Sequence, residues 1–97
     1  MEFLVRIEVR YPVDGDRDEL ARLAAAERMR AAELAGEGHL RRLWRVPGER
    51  ANWGIWEAAD ATELHAALSS LPFFPYMAIR VRPLAQHPND PERPGGR

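Results

Sequence analysis

The apolar side chains of this chain keep a period of two, change to a period near 3.6, return to two, and then repeat the change. Phe3, Val5, Ile7, Val9 and Tyr11 share one face, opposite Arg6, Glu8 and Arg10, which predicts a half-buried strand from Phe3 to Tyr11. Pro12 ends it, and Asp14-Gly15-Asp16 supplies a turn and candidate helix N-caps. From Arg17 to Glu37 the composition is rich in Ala, Leu, Glu and Arg, free of glycine and proline until Gly36 and Gly38, which predicts a long helix stopped by glycine. His39 to Val46 and Ala51 to Glu57 read as two strands joined by the Pro47-Gly48-Glu49-Arg50 turn, a hairpin. Asp60-Ala61-Thr62-Glu63 has a capping-box arrangement and opens a short helix to about Ser70, with Leu64, Leu68 and Leu71 inward. Pro72 and Pro75 then bracket an aromatic loop before a fourth strand, Met77 to Val81.

The order βαββαβ predicts an α+β, ferredoxin-like fold: a four-stranded antiparallel sheet with two helices on one face. The other face of such a sheet lies open. Three Trp with Phe73, Phe74 and Tyr76 are many large apolar groups for one small core. Either they all fit inside one subunit, or some of them cover the open face in an oligomer, which is the expectation taken forward. Residues 1–86 form the predicted domain. Residues 87–97, rich in proline and glycine, read as a tail that is disordered or ordered by a partner subunit.

Composition removes several classes of function. With no cysteine there is no disulfide framework, thiol nucleophile or Cys-built zinc site. All 14 basic residues are arginine, so Schiff-base and lysine-base chemistry are excluded. A net charge of −1 argues against nucleic acid as a partner. No apolar run approaches the roughly 18 residues of a membrane span, and no leader-like segment opens the chain, so no membrane partner and a cytoplasmic location are expected. His39, His65 and His87 are too scattered to make a metal pair and are read as surface residues; no metal is predicted.

One residue breaks its pattern. On the first helix Leu20, Leu23, Ala24, Ala31 and Leu34 form an apolar stripe, and Glu27 sits in its middle. A carboxylate facing a sheet is either paired with an arginine of that sheet, a structural role, or desolvated, which raises its pKa toward that of a working general base. Small Ala24 and Ala31 on either side leave room for a cavity around it. On the third strand Asn52 is placed to donate to a developing oxyanion, or is an ordinary residue flanking a turn. Several arginines lie on or beside strands, where a planar guanidinium suits a carboxylate ligand.

Tyr11-Pro12-Val13-Asp14, Leu43-Trp44-Arg45 with Gly48 and Ala51-Asn52, Leu64-His65, Leu71-Pro72, Phe74-Pro75-Tyr76-Met77 and His87-Pro88 occur in order. In these, and in Glu27, the chain resembles the muconolactone Δ-isomerase family of the β-ketoadipate pathway over about residues 1–88. The resemblance implies sheet-paired dimers within a larger homo-oligomer, often a decamer, with no metal and no cofactor. It implies a small-molecule lactone or conjugated acid as substrate and a double-bond shift by proton removal and return. Glu27 would be the base, Asn52 would hold the lactone or its enolate oxygen, and Arg50, Arg45, Trp53 and Tyr76 are the candidates for binding substrate. The chain departs from the family pattern at Ala24, where the family has Lys, and at Arg50, where it has Tyr. Two alternatives therefore stand beside the isomerase. One is a divergent member acting on another conjugated molecule as isomerase, cyclase or dehydratase; the other is a non-catalytic binding or assembly subunit.

Overall fold

The computed structural model describes residues 1–12 and 14–92. Its elements are β1 (Glu2–Val9), α1 (Arg17–Gly36), β2 (Leu40–Arg45), β3 (Ala51–Glu57), α2 (Ala61–Ser69), a short 3-10 turn (Phe74–Tyr76) and β4 (Met77–Leu84). The strands make one antiparallel sheet in the order β2-β3-β1-β4. This is the predicted ferredoxin-like α+β arrangement.

Cross-strand register sorts the side chains onto two faces. Phe3, Val5 and Ile7 stand opposite Trp56, Gly54 and Asn52 of β3. On the helix-covered face Phe3, Val5, Ile7 and Trp56 pack with Leu34 of α1, Leu64 and Leu68 of α2, and Leu71. Leu4 and Arg6 point the other way, beside Ile55 and Trp53, and Trp53 pairs with Trp44 of β2.

Local chemistry fixes the ends of the elements. Asp16 caps α1 by accepting from the Asp18 N–H, and Asp60 caps α2 by accepting from the Glu63 N–H at 2.9 Å. Beyond α1, Gly38 takes a left-handed φ of 87°, and the chain reverses so that the His39 N–H reaches the Leu34 carbonyl at 2.9 Å. Gly48 takes φ 78° at the hairpin turn.

Several expectations are corrected. β1 stops at Val9 because both neighbours run out there, β3 beginning at Ala51 opposite Glu8 and β4 at Met77 opposite Val9, although the Arg10 N–H still bonds the Tyr76 carbonyl at 2.7 Å. β4 runs on from Val81 to Leu84 through Pro83, which an edge strand tolerates because its outer side needs no donor. Of the α1 stripe, Leu34 is buried while Leu20, Leu23, Ala24 and Ala31 are half-buried. Leu20 and Leu23 border a hollow of about 320 Å³ with Pro12 and Tyr76, outside the buried core cluster. His39 is not a free surface residue: its Nδ1 lies 2.9 Å from the Glu57 carbonyl oxygen. Residues 87–92 of the expected tail are exposed, with a turn bond from the Asp90 N–H to His87; residues 93–97 lie outside the described residues. Among the described residues no helix is long and apolar enough to cross a membrane.

Candidate active site

Glu27 sits two turns before the buried anchor of α1, Leu34, on the side turned toward the body of the protein. Its carboxylate is half-buried and makes no ion pair among the described residues. Its partner is a backbone group: the Phe73 N–H donates to Glu27 Oε1 at 3.1 Å. Burial pushes the Glu27 pKa above the ordinary glutamate value, and the Phe73 amide pulls it partly back. The arginine-paired alternative is thus not what the structure holds. Arg30, a neighbour on α1, is occupied by Glu33, Glu37 and Ser70 Oγ.

The amide that holds Glu27 is itself fixed. Phe73 is 3% exposed, and its ring meets Tyr11 edge-on at 5.3 Å and Tyr76 at 6.4 Å. The Pro72–Pro75 bracket and the 3-10 turn hold this segment, with the Tyr76 N–H bonded to the Phe73 carbonyl at 2.8 Å.

Tyr11 is also a wall of a cleft of about 550 Å³, lined with Val9, Leu43, Trp44, Arg45, Glu49, Arg50, Ala51 and Asn52. Two predicted substrate-binding residues, Arg45 and Arg50, meet there with Asn52. Neither arginine forms an ion pair among the described residues, whereas Arg6 is neutralised by Glu49 at 2.7 Å and by Glu8. Arg50 lies with its guanidinium carbon 5.4 Å from the centre of the Tyr11 ring, within cation–π range. Asn52 Oδ1 is buried with no hydrogen-bond partner among the described residues. A rotation of the amide exchanges acceptor for donor at the same spot, so this side chain has unused capacity for a ligand or a water.

Trp53 and Tyr76 are not among the residues lining this cleft. Trp53 stands on the opposite face of the sheet, and Tyr76 borders the hollow beside Leu20 and Leu23. Nor do Ala24, Glu27 and Ala31 line the cleft; Glu27 is linked to it through Phe73 and Tyr11. Sequence reasoning missed Phe73, whose contribution is a backbone N–H, and Tyr11, read as the last residue of a strand. The one available signal was the Pro bracket, which marks a rigid segment able to hold an amide in place. Among the described residues no cluster of three or more metal-ligating side chains occurs.

A family model described as muconolactone delta-isomerase matches residues 1–90. The chain belongs to the muconolactone delta-isomerase family. It is 44% identical to a muconolactone delta-isomerase of Cupriavidus pinatubonensis over 89 residues, covering 92% of this chain and 97% of that protein. It is 40% identical to one from Pseudomonas aeruginosa, covering 92% and 93% of the two chains. The crystal structure of a muconolactone isomerase superposes with a TM-score of 0.88 at 39% identity, over 96% of this chain and 97% of that one. A 5-chloro-2-hydroxyhydroquinone dehydrochlorinase from Burkholderia phenoliruptrix shares the fold, with a TM-score of 0.66 at 18% identity over 90% and 96% of the chains. Family membership therefore extends through both helices, the hairpin and the aromatic turn that together position Glu27, Asn52 and the two arginines.

Proposed function

We propose that this chain isomerises muconolactone to 3-oxoadipate enol-lactone in the β-ketoadipate pathway, with Glu27 as the proton carrier. The observation that carries the reading is the state of Glu27: half-buried, without a counter-ion, and held through one oxygen by the Phe73 amide. Muconolactone's ring γ C–H is acidified by the conjugated carbonyl. The carboxylate takes that proton, leaving a dienolate, and the proton returns at the α carbon, moving the double bond. A proton merely changes carbons within one molecule, so the reaction balances without an oxidant or reductant. A carboxylate with a raised pKa suits both halves, accepting the proton and then giving it back. For its ring to meet Glu27, a lactone in the cleft must reach past Tyr11 and Phe73; in that pose Asn52 supports the enolate oxygen, while Arg45 and Arg50 attract the carboxymethyl group. The assembly we infer is a cytoplasmic homo-oligomer of sheet-paired dimers, a decamer by family resemblance, with residues 1–86 as its folded unit.

The second reading, a different conjugated lactone or acid as substrate, is favoured by Ala24 and Arg50, where the family pattern has Lys and Tyr. One experiment separates the two. The protein is incubated with muconolactone in heavy water and the ring protons are followed by NMR. Formation of the enol-lactone is the expected result, with deuterium at the α carbon only to the extent that the Glu27 carboxyl exchanges with solvent before it returns the proton. Neither conversion nor exchange, from a folded protein, removes muconolactone as the substrate.

A further inference from the structure

Tyr11 touches both halves of the site, the cation of the cleft and the segment that holds the carboxylate. Its ring meets Phe73 edge-on, at 5.3 Å and an interplanar angle of 88°. The Arg50 guanidinium lies 5.4 Å from the centre of the same ring. The Tyr11 hydroxyl makes no hydrogen bond among the described residues; the side chain is 40% exposed, and its ring lies against Phe73 and Arg50. Backbone bonds fix the two residues before it: the Val9 N–H reaches the Arg50 carbonyl at 2.9 Å, and the Arg10 N–H reaches the Tyr76 carbonyl at 2.7 Å. The ring therefore bridges the hairpin turn, which carries Arg50, and the aromatic turn, which carries the Phe73 amide.

We propose that Tyr11 is a positioning residue that couples the two: its ring holds Arg50 over the cleft and braces Phe73, whose N–H holds Glu27. The inference rests on the isomerase reading for its use in catalysis, and on ring geometry alone for its existence. A carboxylate-bearing substrate that engages Arg50 draws the guanidinium from the Tyr11 ring or presses it onto it. Either movement is felt at Phe73, which is too well packed to move independently. No charged side chain contributes to the Glu27 shift: burial acts in one direction and the Phe73 amide in the other. The nearby charge on its own helix, Arg30, is already bound to Glu33, Glu37 and Ser70. The Phe73 amide is the one hydrogen-bond partner of Glu27 among the described residues, so the packing of the Phe73 ring sets how that oxygen is held.

The test compares Tyr11→Leu and Tyr11→Phe with the parent protein by two readouts. The first is the titration midpoint of the Glu27 side-chain carboxyl, followed by NMR with carbon-13-labelled glutamate, Glu27→Gln providing the assignment. This readout needs no substrate. The second is the split of kcat and KM for muconolactone. In Tyr11→Leu the Phe73 ring keeps Tyr76 but loses its nearer edge contact, its amide is held less closely, and the Glu27 midpoint is expected to move further up. KM is expected to rise roughly two- to fivefold, the worth of a partly exposed cation–π contact. Tyr11→Phe keeps the ring and restores both. An unmoved Glu27 midpoint in Tyr11→Leu overturns the coupling, and so does a Tyr11→Phe variant that behaves like Tyr11→Leu. A parent protein inactive on muconolactone refutes the isomerase reading, and the midpoint comparison still decides the coupling.

Discussion

At the residue scale the chemistry depends on a carboxylate that burial has made reluctant to ionise. Replacing Glu27 by Gln keeps an oxygen for the Phe73 N–H but removes the base, so activity should fall by roughly 10²–10⁴-fold with folding intact. A steady-state assay beside a thermal melt checks this; an active Glu27→Gln variant would end the proposed mechanism. The pH dependence has a definite sign. Folding raises the Glu27 pKa, so below the ordinary glutamate value the folded and unfolded chains both hold the proton and the fold is not penalised. As pH climbs from that value through the raised folded one, the unfolded chain ionises first and stability is lost. Glu27→Gln has no charge to lose, so it should be at least as stable as the parent at pH 7, with the difference vanishing near pH 4 in urea titrations. Catalysis runs the other way, its acidic limb rising as Glu27 ionises. Glu27 was legible in the sequence because a lone acid interrupted an apolar stripe. Its partner was not, because every residue but proline carries a backbone N–H and only the fold selects Phe73.

At the scale of elements, the periods of two and 3.6 sufficed for strand and helix order, and the pairing follows from it. They failed at the ends. The alternation reaches Tyr11, yet the strand stops at Val9, which moves Tyr11 from sheet residue to cleft wall. Gly54 shows how closely β3 is packed. A Cβ added there would lie 2.9 Å from Trp56 Nε1, 3.1 Å from the Arg42 carbonyl oxygen and 3.1 Å from Leu43 Cδ1. Two of those neighbours, a buried indole and a strand carbonyl, have little freedom to yield. Gly54→Ala should therefore cost about 1–3 kcal/mol in chemical denaturation, the usual scale of overpacking. Trp56→Phe removes the indole nitrogen, so Gly54→Ala should cost less in that background than in the parent. Equal costs in the two backgrounds would show that Trp56 is not the obstacle. Periodicity carries no hint of this contact, because the approach of Gly54 to Trp56 depends on a side-chain rotamer.

At the scale of the whole molecule, the question is whether a second copy covers the face of the sheet without helices. Leu4, Ile55, Trp53 and Trp44 lie together there by register, with Trp53 36% and Trp44 46% exposed. The Arg42 guanidinium stacks on Trp44 at 4.6 Å, and Arg6, Arg80 and Arg82 flank the patch. Two exposed tryptophans on the open face of the sheet, rimmed by cations, form a surface whose burial is favourable against a like surface. Under two-fold symmetry each substitution enters such an interface twice, and a residue near the axis meets its own copy. Trp53→Glu replaces a large apolar contact with two carboxylates that must lose water together, a cost that arginines at the rim do not fully offset. The parent is expected to sediment well above its 11.0 kDa chain mass and the variant to fall to smaller species. Far-ultraviolet circular dichroism should remain unchanged, because Trp53 lies outside the core that folds the subunit. A parent that sediments as a monomer would refute assembly through this face; a variant that keeps the parent's size would place the contact elsewhere on the surface.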